Sequence, residues 1–261
     1  MKLKKWGRLF PVLLLLLLVF TACGKKAEDT TAETAEVKEK DYIGETARNT
    51  IKLSPDGNVL EICVEDFSSV SLDENELKEY IRSEVDGYNE KLGVNKISFR
   101  QMKIEGKIVK LAISYSDLDT YASFNRMSVK LSSYNAAEAD RIAAEEAAKH
   151  KAEERKTEAP VISDAELAEA GYSAEDLELQ TTEEDKADEE VKAEFTSSSG
   201  KSVGSDEIPS GENLMLVTDE RIAVELESGQ IQYVNEHATF QDGAALTDGD
   251  GTAVLVLFLG I

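Results

Sequence analysis

Two cysteines, two histidines, four prolines and one tryptophan in 261 residues leave several kinds of chemistry without their raw material. A disulfide scaffold needs several cysteine pairs at suggestive spacings, which Cys23 and Cys63 do not supply. Neither His150 nor His237 has a cysteine or a second histidine at ligand spacing. No metal ligand and no cofactor is assigned, and both are read as surface histidines. Basic residues are scarce as well: 29 Lys and Arg face 52 Asp and Glu, a formal charge of −23. That charge repels phosphate backbones, whose binding depends on Lys and Arg displacing counterions, so nucleic acid is excluded as a partner. No apolar run reaches the about 20 residues that a helix needs to cross a bilayer core.

What is present begins at the N-terminus. Lys2, Lys4, Lys5 and Arg8 precede an apolar stretch over residues 9–22, a charged region followed by a short greasy one. This is the shape of an export signal. The residues "FTAC" at 20–23, followed by Gly24, resemble the lipobox of bacterial membrane lipoproteins, with Phe20 where leucine is most frequent. The resemblance implies cleavage after residue 22, a diacylglycerol thioether on Cys23, and a protein held on the extracytoplasmic face of the cell membrane. Ordinary secretion, with a cut after Gly24, and a retained anchor are the alternatives. Losing residues 1–22 removes four positive charges and no acid, taking the net charge to −27. Each buried methylene of an acyl chain contributes about 0.8 kcal/mol, so two chains hold where one exchanges. Residues 23–50 are rich in Ala, Thr, Glu and Lys and read as a solvated tether.

A first folded half spans 51–135. "VLEICVED" alternates, with Leu60, Ile62 and Val64 on one face and Glu61, Cys63 and Glu65 on the other, which reads as a strand. Cys63 there is read as a half-buried small side chain. Ser71 and Glu74 form a capping-box pattern ahead of Leu77, Ile81, Val85, Tyr88 and Leu92 at helical spacing, closed by Gly93. Two alternating runs flank Glu105 and Gly106, a hairpin signal, and Val109, Leu111, Ile113 and Tyr115 form the apolar face of the second run. A short helix is expected from Asp117 to Asn125. The stretch "TYASFN" at 120–125, with a short strand and an Ala-rich helix behind it, resembles uncharacterised extracytoplasmic lipoproteins of Gram-positive bacteria. That resemblance implies the same compartment and architecture and carries no activity.

Residues 136–205 read as an acidic helical or disordered insertion, with 20 acids against 7 bases over 138–194. The segment 141–156 is a solvated helix in this reading, and 181–205 a linker. Residues 206–261 return to β signals, including a turn at Ser228 and Gly229 and a plain hairpin turn at "DGDG", 248–251, in preference to a calcium loop. Residues 252–259 are apolar on both faces, Val254, Val256 and Phe258 on one and Leu255, Leu257 and Leu259 on the other, as a central strand is. That strand either completes a sheet begun before residue 116, the favoured reading, or closes a separate β domain. No serine stands in a nucleophile motif, and no glycine-rich loop follows a strand.

The sequence therefore predicts an α+β fold, with a mixed or antiparallel sheet, one packed helix and a long acidic interruption. It predicts a lipid-anchored, non-catalytic interaction or envelope-maintenance module whose partners are the membrane, through its anchor, and another envelope protein. The rival readings are a ligand-binding lipoprotein and a wall-active enzyme with a pocket at His237 or Cys63.

Overall fold

The computed structural model describes residues 40–69, 73–158 and 191–260, without the side chains of 154–158. The export signal, Cys23 and its lipidation, most of the tether, Ser71, and residues 159–190 lie outside the described residues. Among the described residues, three α-helices and thirteen strands form two sheets, an α+β architecture. The first sheet runs Ala238–Gln241 (β11), Ala244–Thr247 (β12), Ala223–Leu226 (β9), Thr50–Leu53 (β1), Val59–Asp66 (β2), Ile108–Tyr115 (β4) and Ile97–Glu105 (β3). It is mixed, because β1 lies parallel to β9 while the other pairs are antiparallel. The second sheet is antiparallel throughout: Val129–Ser133 (β5), Leu214–Thr218 (β8), Ala253–Phe258 (β13), Gln230–Val234 (β10), Glu194–Ser197 (β6) and Ser202–Gly204 (β7).

Both halves of the chain contribute to both sheets. Strands β9, β11 and β12 extend the sheet begun by β1 to β4, and β5 pairs with β8 in the other. The apolar strand β13 is central, between β8 and β10, and not in the sheet begun before residue 116. The turns at Ser228–Gly229 and Asp248–Gly251 carry the chain from one sheet to the other. The plain hairpin expected at 248–251 is thus corrected: β12 pairs with β9 and β11, β13 with β8 and β10.

On the first sheet, helix α1 (Glu74–Leu92) starts at Asp73, whose carboxylate accepts from the N–H groups of Asn75 and Glu76. It stops at Gly93, where φ is 70°, a conformation that costs glycine nothing. Leu77, Ile81 and Val85 are buried as the stripe predicts, while Leu92 is exposed. Asn89 is the polar member of the buried face. Its Oδ1 accepts from the N–H groups of Lys96 and Ile97, and its Nδ2 donates to the Ile97 carbonyl, which fixes the entry into β3. Helix α2 (Leu118–Asn125), capped by Asp117, sets Phe124 edge-on to Tyr88 of α1 at 5.2 Å. These helices explain a departure from the β2 reading. Glu61 and Cys63, on the face the pattern left polar, are buried, because that face also carries Tyr115, which contacts Tyr121 and Phe124 of α2.

On the second sheet lies helix α3 (Ala136–Glu158). The solvated helix expected here is in fact docked by its first half: Ala139 and Ile142 are buried in a cluster with Tyr134, Phe195, Met215, Val254 and Val256. Alanine at 139 and 143 around Ile142 gives a narrow stripe, low in hydrophobicity yet flat enough for close approach, and burying Ile142 alone contributes about 1.5–3 kcal/mol. The linker expected over 181–205 likewise ends in structure, since β6 places Phe195 in that cluster at 1% exposure. Alternation puts Leu255 and Leu257 on the other face of β13, where neither is exposed.

Candidate functional site

The site lies where three pieces of chain meet: the middle of α3, the loop between β10 and β11, and the turn at 248–252. Two backbone clamps bring the loop and the turn together. Asn235 donates through Nδ2 to the Thr252 carbonyl and accepts at Oδ1 from the Val254 N–H, and the Asp248 N–H donates to the His237 carbonyl. A third tie reaches the helix, where Thr252 Oγ1 donates to Glu146 Oε1 at 2.6 Å.

His237 stands at the centre and is buried, 9% exposed, which corrects its reading as a surface residue. Its ring is covered closely: a Cβ added to Gly251 would fall 2.3 Å from Cε1 and 2.4 Å from Nε2. Nδ1 lies 3.3 Å from Asp248 Oδ2, and the nearer contact of Nε2 is the Glu236 carboxylate at 3.7 Å, beyond hydrogen-bond range. Nε2 is thus a buried ring nitrogen with no hydrogen-bond partner.

Helix α3 brings Glu146 and His150 to the same place, four residues apart and so on one helix face. One ligand atom from each of Glu146, His150 and His237 lies within 4.8 Å of the others. His150 is exposed, as the sequence predicts, while Glu146 is buried on its helix. Burial pushes the Glu146 carboxyl up, but hydrogen bonds from Lys149 and Thr252 outweigh it and hold the group below the usual carboxylate range. Lys149 Nζ lies 2.6 Å from Glu146 Oε1 and pairs with it from the solvent side.

Beside His237 opens a cleft of about 540 Å³, lined among others by Arg48, Arg221, Glu236, Thr239 and Asp248. Its size falls within the range of small-ligand sites. Two arginines at its wall stand out in a chain of net charge −23.

Cys63 does not line the cleft. Burial pushes its thiol well above the ordinary range, and the Glu61 and Glu65 carboxyls push it further. The sequence held no signal for Glu146, whose only mark is its position four residues before His150. Nor could it show the third member, which arrives from a loop 87 residues beyond His150.

The described residues define an α+β protein of two sheets, with His237 lining a cleft and meeting Glu146 and His150 of α3 near a sheet-crossing turn. Among known proteins, the chain matches no family model, no curated protein and no solved structure.

Proposed function

We propose that this chain is a lipid-anchored protein of the extracytoplasmic face of a bacterial cell membrane, and that its folded part is a non-catalytic binding module. The observation that carries the anchor is "FTAC" with Gly24 behind a short apolar run and four positive charges. Ile43 is buried and its N–H donates to Gln101 Oε1, so the 20 residues from Cys23 to it reach at most about 70 Å. A strongly acidic module on such a leash stays near the membrane through its lipid and not through charge attraction.

The second reading, a receptor for a small ligand, is favoured by the cleft beside His237 with its Arg48 and Arg221. Binding of a polar small molecule fits a cleft that offers both arginines and carboxylates along its lining.

Replacing Cys23 by Ala and fractionating cells tests the anchor. The native protein is expected in the membrane fraction and to incorporate a fatty-acid label, and the variant to lose both. Equal membrane retention of the C23A chain would overturn the anchored reading.

A further inference from the structure

We propose that Glu146, His150 and His237 bind one first-row divalent metal ion of the zinc type, through one carboxylate oxygen and two imidazole nitrogens. The three ligand atoms already lie within 4.8 Å of one another. Around a tetrahedral zinc, with bonds of about 2.0–2.2 Å to nitrogen and oxygen, neighbouring ligand atoms stand about 3.4 Å apart. The longest separation therefore has to shorten by at most about 1.4 Å. His150 is exposed, so its side chain has room to make that movement.

Independent support comes from His237. Its ring is buried and its Nε2 lacks a hydrogen-bond partner, an expensive condition for a polar atom unless something occupies it. Asp248 at Nδ1 is the partner that a metal-binding histidine has on its far side: a carboxylate accepting the Nδ1 proton fixes the tautomer and turns the Nε2 lone pair outward. Gly251 gives that ring the space it occupies. Glu146 is similarly held in place, because Thr252 Oγ1 donates to its Oε1 at 2.6 Å. Lys149, whose side chain is largely exposed, supplies the positive charge that a metal ion would replace.

Two histidines and one glutamate leave a fourth position for water or a ligand atom. Imidazole with carboxylate selects zinc, cobalt or nickel over the calcium that carboxylates alone would take. The site does not depend on the lipid anchor, and its test does not either.

The full chain, purified and stripped with a chelator, is titrated with Zn2+ by calorimetry and with Co2+ by visible absorption. One equivalent is expected, with the intense bands of tetrahedral Co2+. His150→Ala, a change at an exposed position, is expected to weaken binding about 100-fold or more, and Asp248→Asn by about 10–100-fold. Circular dichroism checks that both variants are folded. Zn2+ affinity unchanged in His150→Ala would overturn the proposal. So would a Co2+ spectrum showing only weak octahedral bands, the mark of scattered surface carboxylates.

Discussion

Tyr115 Oη donates a hydrogen bond of 2.5 Å to Glu61 Oε2 between neighbouring strands, with both side chains buried. The register explains the meeting: Val59 of β2 is opposite Tyr115 of β4, which leaves Glu61, two residues on, diagonal to it on the same face. Asn125 of α2 adds Nδ2 at 3.4 Å from the same carboxylate oxygen and 3.2 Å from Tyr115 Oη. Burial pushes the Glu61 carboxyl up to about 6, although the hydrogen bonds from Tyr115 and Asn125 pull it back down.

The sign of the consequence follows from which state holds the proton. Between about pH 4.5 and 6 the folded protein keeps Glu61 protonated while the unfolded chain has lost that proton, so this group makes stability fall as pH rises through the window and level off above it. The shift corresponds to about 2 kcal/mol. Glu61→Gln keeps an acceptor for Tyr115 without the charge, so the stability of the variant relative to the native chain should rise by about that amount from pH 4.5 to 7. Denaturant unfolding of both at several pH values measures it, and a pH-independent difference would contradict the buried-charge account.

Asp140 tests the docking of α3. Its Oδ1 accepts from the Ala193 N–H at 2.8 Å and from Ser205 Oγ at 2.6 Å, tying the start of the helix to the chain that returns more than fifty residues later. Asp140→Ala should cost about 2 kcal/mol, since hydrogen bonds to charged groups are worth about 1.5–3 kcal/mol each and water recovers part of that loss. Hydrogen exchange should quicken at Ala193 and Phe195 before it changes in β2 or β4. Uniform change across both sheets would show that the helix and the returning strands do not form a local unit.

The strands and helices with a strong period were legible in the sequence. The stripe of α1 with Gly93, the short helix ending at Asn125, the β3–β4 hairpin and the two-faced apolar strand β13 all fall where the pattern puts them. Partnership was not legible. A turn such as Asp248–Gly251 has the same residues whether it joins strands of one sheet or of two, because turn chemistry is local and pairing is not. Helix α3 eluded the reading for a different reason: Ile142 is flanked on its stripe only by small alanines, Ala139 and Ala143, and these are outnumbered by acids on the other faces. The candidate site was invisible for both reasons together, since Glu146 looks like one acid among many and His237 gains its neighbours only when the turn crosses between sheets.

Cys63 gives a measurement of the first sheet's burial. Cys63 is 5% exposed and burial pushes its thiol well above the ordinary range, which keeps it in the neutral form at pH 8. A thiol reagent should label it only after unfolding, at a rate limited by opening of the β2–β4 region. Prompt labelling of the native protein would mean that α2 does not cover β2.

The contact between Gly251 and His237 is best read through a pair of substitutions. Gly251→Ala forces a methyl group to within 2.4 Å of Nε2, and overpacking of that kind costs about 1–3 kcal/mol. The same substitution in a His237→Ala background meets no ring, so most of the cost should vanish, giving a coupling of the order of 1–2 kcal/mol in a double-mutant cycle. If the two effects simply add, the ring does not sit over Gly251. The burial of Nε2 would then need another cover, because the geometry that buries this nitrogen is the one that leaves no space for a side chain at 251.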